Sequence, residues 1–168
     1  MVSSKIETKD IEDTLKKWLS DLQRVVIAGT GNPLRKDDFV GMKIVQDIKG
    51  KVSEKVYLIE CETTPESCIQ EIVEFKPTHV LVIDAALLGE SHGNVKLIEE
   101  LEVATPAIST HMLPLQIFCK YLRSTLGAKV ALLAIQPKKT DFGEGLTREV
   151  EDPAKNLAKI LVKILSKI

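Results

Sequence analysis

Along this chain, short continuous apolar runs alternate with longer segments in which apolar residues return every three or four positions. RVVIAG at 24–29, KVYLIE at 55–60, HVLVIDA at 79–85 and KVALLAI at 129–135 read as strands, and the more polar VKLIEE at 95–100 as an edge strand. Helical spacing covers about 38–49, ending near Gly50, then 66–75, stopped before Pro77, and 112–126, closed by Gly127. A last helix is expected over 153–167, with Asp152 as its cap, Pro153 at its first position, and Leu157, Ile160, Leu161, Ile164 and Leu165 on one face. Ile11, Leu15, Trp18, Leu19 and Leu22 predict a further amphipathic helix over 8–22, lying on the domain or on a second subunit.

Strand and helix in alternation, with strands apolar throughout, predict an α/β fold. The expected form is three layers, α/β/α, around a twisted, mostly parallel sheet of about five strands. Residues 24–168 would form this domain and residues 1–23 a helical extension. In such folds ligands bind outside the carboxyl ends of the strands.

Composition narrows the function classes. A chain of 168 residues suits one domain, and 44% hydrophobic with only 4% aromatic residues calls for an aliphatic core. Basic and acidic residues, 23 and 24, nearly cancel, so no basic field points to nucleic acid or to an anionic membrane. No apolar run reaches the ~18 residues of a membrane span, and the charge-broken start MVSSKIETKDIEDTLKKW offers no apolar core of a secretion signal. A cytoplasmic location is expected. Cys61, Cys68 and Cys119 are odd in number and lack the C-x-x-C spacing of zinc or redox sites, so they are expected to be free thiols.

The carboxyl-end rule selects the candidate chemistry. The first strand runs into a loop holding Asp37 and Asp38, the second ends at Glu60 followed by Glu62, and the third ends at Asp84 in VLVIDAALLGE. His111, in STHMLPLQIF, precedes a helix, while His79 and His92 read as strand-start and loop residues. Asp37 or Asp38 could cap the following helix, and the two could divide structural and functional roles. An acid placed directly after VLVI must be desolvated or paired, which makes Asp84 a site candidate. The Gly-Thr-Gly-Asn-Pro loop is not a nucleotide loop. A dinucleotide fingerprint would need glycine at Leu34, and a phosphate loop would need Gly-Lys-Ser/Thr where Lys36-Asp37-Asp38 stands. Negative charge beside the first amides of a helix occupies the place a phosphate would take, so the pair argues for a cation or a polarised water.

Four segments carry a family resemblance: GTGNPLRKDDFVG, VLVIDA, STHMLPL and AIQP, in that order, across about residues 24–165. They resemble the [NiFe]-hydrogenase maturation endopeptidases, and the branch serving formate-hydrogenlyase-type hydrogenases looks closest through THMLPL and IQP. The resemblance implies a peptidase that removes the C-terminal extension of a hydrogenase large-subunit precursor once nickel is inserted. It also implies that Asp38, Asp84 and His111 meet the nickel, with Asp37 as their neighbour and helix cap. Nickel would arrive with the substrate and act as the recognition signal, with no tightly held cofactor in the protein itself. Ala134 stands where the family usually has glycine, and residues 1–23 extend beyond the usual start.

Two carboxylates and an imidazole suit Ni(II), and three protein ligands leave positions open for substrate or water. The metal could polarise the scissile carbonyl or acidify a bound water, with a carboxylate taking the proton; the sequence leaves both open. Two other readings share some of these residues. One is a non-catalytic, metal-dependent chaperone or docking module for a metalloenzyme precursor. The other is an esterase like the peptidyl-tRNA hydrolases, whose opening GTGNP resembles, but no histidine occurs before His79 to serve it.

Overall fold

The computed structural model describes the backbone of residues 2–100 and 112–168, with side chains from residue 8 onward. Five strands form one sheet: β1 (Val25–Thr30), β2 (Val56–Glu62), β3 (His79–Ala85), β4 (Val95–Ile98) and β5 (Lys129–Ile135). Their order across the sheet is β2-β1-β3-β5-β4. The first four in that order run parallel, and β4 pairs antiparallel with β5 at the edge.

Side chains alternate across the pleat into two apolar layers, which is why the strands read as unbroken apolar runs. Val25, Ile27, Leu81, Ile83, Leu133 and Ile135 face one layer, and Val26, Ala28, Val80, Val82, Leu132 and Ala134 face the other. The first layer is covered by α1 (Val2–Trp18), α2 (Val40–Ile48) and α5 (Arg148–Leu165), and the second by α3 (Ile69–Phe75) and α4 (Leu113–Leu126). The expected three-layer α/β architecture is thus the one observed. Among the described residues no helix is long and apolar enough to cross a membrane.

The chain leaves β1 through α2 to β2 on one side, then returns through α3 to β3 on the other side of β1. This reversal opens a crevice between the carboxyl ends of β1 and β3, where open α/β sheets bind ligands.

Several local expectations need correction. Helix α5 starts at Arg148, so Pro153 lies inside it rather than at its first position, and Thr147 rather than Asp152 flanks its start. Val150 is fully buried and extends the apolar face by a turn, which offsets part of the cost of a proline inside the helix. The Glu149 carbonyl, four residues before the proline, is closely approached by the Gly93 backbone, where a Cβ would lie 2.2 Å from its oxygen. The segment expected to open a helix at 38 instead forms a 3₁₀ turn, Lys36–Phe39, and neither it nor α2 has a side-chain cap. Another 3₁₀ turn, Pro65–Cys68, precedes α3.

Two of the three cysteines also differ from expectation. Cys61 and Cys68 are disulfide-bonded, and Cys119 is free and buried. The turn after β2 brings the two sulfurs together across seven positions, a pairing that no metal- or redox-motif spacing announces. Helix α1 packs on this domain: Leu15 and Trp18, with Leu19 just past its end, are buried in the same layer as α2 and α5. The Trp18 ring meets His79 edge-on at 5.0 Å, and Glu12 bonds both Lys16 and Lys163.

Candidate active site

Two glycines let the carboxyl ends of β1 and β3 close around a pair of aspartates. Gly31, at φ +127°, leaves no room for a side chain: a Cβ would lie 1.8 Å from the Asp38 carbonyl oxygen and 3.3 Å from Asp84 Oδ1. At Gly41, in the first turn of α2, a Cβ would lie 1.9 Å from the Ile83 carbonyl oxygen. Bare backbone at these points lets the 3₁₀ turn and α2 settle onto the strand ends, which delivers Asp38 to the end of β3.

Asp38 Oδ2 accepts a hydrogen bond from the Asn32 amide at 2.8 Å, and Asn32 Oδ1 accepts one from the Leu34 amide at 2.9 Å. The Gly-Asn-Pro turn therefore orients this carboxylate. Asp84 Oδ1 accepts from its neighbour's amide, Ala85 N, at 2.7 Å. Burial first, and the Asp38 charge second, push the Asp84 carboxyl up to about 7, against the opposing pull of the Thr30 hydroxyl and the Ala85 amide.

Asp37 does different work from the helix cap expected of it. It is completely buried, and its carboxylate accepts from the amides of Lys138, Lys139 and Thr147 at 2.7–2.9 Å and from the Thr147 hydroxyl at 2.8 Å. One side chain thereby fixes both ends of the loop between β5 and α5. Gln136 anchors another loop, since its Oε1 accepts from the Leu88 amide at 2.6 Å and holds the segment that follows Asp84. This gives the Ile-Gln-Pro run a physical task.

Asp38 and Asp84 sit in a cleft of about 470 Å³, with Thr30 and Gly31. Glu62, Thr63 and Pro65 form one wall; Leu87, Met112, Pro114 and Leu115 a second; Arg35, Pro137 and Thr140 a third. Glu62 reaches the cleft from a left-handed residue at a bulge in β2, whereas Glu60 accepts a bond from Gln46 at 2.6 Å. His111 lies outside the described residues. His79 is remote from the cleft at the start of β3, bonded to Thr78 and Asp21. Among the described residues no group of three or more His, Cys, Asp or Glu converges as a metal site.

Sequence reading missed Arg35, the one cation lining the cleft among the described residues, whose Nη1 donates to the Thr140 carbonyl at 3.3 Å. The two loops meet across 105 positions, so no local pattern announces the contact.

Residues 40–164 match the hydrogenase maturation protease family HycI. A putative hydrogenase maturation protease of Methanocaldococcus jannaschii is 35% identical over 166 residues, which is 94% of this chain and 98% of that protein. The chain belongs to the hydrogenase maturation protease family. The hydrogenase 3 maturation protease of Escherichia coli K12 is 27% identical over 76% of this chain and 81% of its own. The crystal structure of the [NiFe]-hydrogenase maturation protease HycI from Thermococcus kodakarensis superposes with a TM-score of 0.85 at 32% identity, covering 90% of this chain and 98% of that one. As a maturation protease the protein is a peptidase, and Asp38 and Asp84 are its candidate reactive groups.

Proposed function

We propose that this maturation protease removes the C-terminal extension of a [NiFe]-hydrogenase large-subunit precursor after nickel insertion, in the cytoplasm, with the precursor's own nickel as the recognition signal. The observation that carries the reading is the pair Asp38 and Asp84, which line one cleft at the strand-order reversal close enough for the Asp38 charge to raise the Asp84 carboxyl. Two carboxylates in one cleft repel, and that repulsion together with the burial of Asp84 favours a proton on Asp84. A cation offered by the substrate relieves that repulsion and is met by oxygen ligands suited to Ni(II). His111 is the proposed nitrogen ligand. Nickel seated there places the adjoining peptide bond beside a carboxylate able to take a proton from an attacking water.

The test is incubation with nickel-loaded precursor, followed by intact-mass analysis. Loss of one C-terminal segment is expected. An unchanged precursor mass would support a binding module without cleavage, and equal cutting of nickel-free precursor in metal-depleted buffer would overturn the nickel signal.

A further inference from the structure

Six large apolar side chains are exposed among the described residues: Leu34, Leu87, Leu113, Ile117, Tyr121 and Phe142. They are not scattered. Leu87 lines the cleft, Leu34 adjoins the cleft residue Arg35, and Leu113 lies between the cleft residues Met112 and Pro114. Phe142, 77% exposed, is tied to the same rim, because the next residue, Gly143, donates its amide to the Leu34 carbonyl and accepts from the Lys36 amide. Ile117 and Tyr121 follow Leu113 at four-residue spacing, so one face of α4 carries an apolar line leading about 12 Å away from the cleft mouth. In a chain with 28% charged residues, four exposed apolar side chains at or beside one opening, with two more continuing from it along α4, mark an interaction site.

We infer that this rim is the docking surface for the hydrogenase precursor, gripping apolar segments on both sides of the bond to be cut, with Leu113, Ile117 and Tyr121 on one flank and Leu34 and Phe142 on the other. The inference rests on the proposed substrate. A second copy of this chain is the less suitable occupant, because residues bordering Asp38 and Asp84 would be covered and the cleft closed to any peptide. The loop bearing Phe142 is suited to the task, since the buried Asp37 carboxylate clamps both its ends and little freedom remains to be lost on binding.

The experiment compares cleavage of nickel-loaded precursor by wild type, Ile117→Glu, Phe142→Ser and, as a control on the far face of α5, Lys159→Glu. All three positions are exposed, and unchanged melting temperatures verify the fold. The expected result is a KM raised roughly 10-fold or more for Ile117→Glu and Phe142→Ser with kcat within about threefold, the signature of lost uniform binding. Lys159→Glu should match wild type, and wild-type KM should not rise between 0.1 and 0.5 M salt, since apolar docking is not screened. Wild-type KM in both rim variants would overturn the inference, as would a concentration-dependent wild-type dimer that the rim substitutions convert to monomer. If wild type itself leaves the precursor uncut, the proposed substrate fails, and that outcome is distinct from cleavage that ignores the rim.

Discussion

At the scale of single residues, the proposed role of Asp84 sets stability against activity. Its folded-state pKa of about 7 lies above the ordinary 3.8, so between those values the native protein holds a proton that the unfolded chain releases. Its contribution to stability is therefore complete below about pH 4 and lost as pH rises through 7. Asp84→Asn should raise the melting temperature at pH 8 by about 2–4 °C for each kcal/mol of penalty removed, and should flatten stability between pH 5 and 8 relative to wild type. A lower Tm at pH 8 for the variant would refute the desolvation argument. Cleavage should behave in the opposite way: if the ionised carboxylate meets the nickel, activity climbs as pH rises through about 7, and Asp84→Asn and Asp38→Asn are both inactive with their folds intact. Asp37→Asn belongs to another class. An amide nitrogen cannot accept, so at least one backbone amide in the loop between β5 and α5 loses its partner, at a cost of about 1–3 kcal/mol. Thermal melting should register that loss, and an unchanged Tm would show that the carboxylate is not the clamp described.

At the scale of elements, close backbone approach decides what the chain tolerates. Gly41→Ala would drive a methyl group into the Ile83 carbonyl, and Gly31→Ala would do the same to Asp38, whereas Gly50→Ala meets nothing within 4 Å. Gly50→Ala should cost only the penalty of its positive φ, about 1–2 kcal/mol. The other two should melt far lower or fail to fold, and near-equal melting temperatures for the three variants would contradict the packing described. The same elements show what was legible in advance. Strands β1, β3 and β5 were readable because a run buried on both faces has no polar side to confuse it, and the edge strands β2 and β4, only partly buried, because short apolar runs still stand out between polar residues. The start of α5 was misread because Asp152-Pro153 is a good local start signal, overridden by the burial of Val150 a turn earlier. Asp37 was mistaken for a cap because its partners, Lys138, Lys139 and Thr147, lie more than 100 positions away. The Cys61–Cys68 bond depends on the fold of a turn that no residue spacing specifies.

For the whole molecule, the layers followed from alternation alone, and the position of Asp38 and Asp84 followed from the rule that α/β sheets bind at their carboxyl ends. The standing of residues 1–23 was not legible, because an amphipathic helix shows that it needs a partner but not which one. In the fold its partner is the layer formed by α2, α5 and one face of the sheet, where Leu15 is fully buried and Trp18 and Leu19 nearly so. Burying a large apolar side chain contributes about 1.5–3 kcal/mol, and three of them together approach the roughly 5–15 kcal/mol by which whole domains are stable. Removing residues 1–23 would also uncover the buried His79 ring, against which Trp18 packs, and leave Lys163 without Glu12. A chain of residues 24–168 should therefore melt at least 10 °C below the full-length protein or aggregate on expression, although it retains every cleft residue. Comparing the two by circular dichroism melting and sedimentation decides the matter. A shortened chain that stays monomeric and melts within a few degrees of the full protein would make α1 a detachable extension, and the apolar layer beneath it would then have to be stable when exposed.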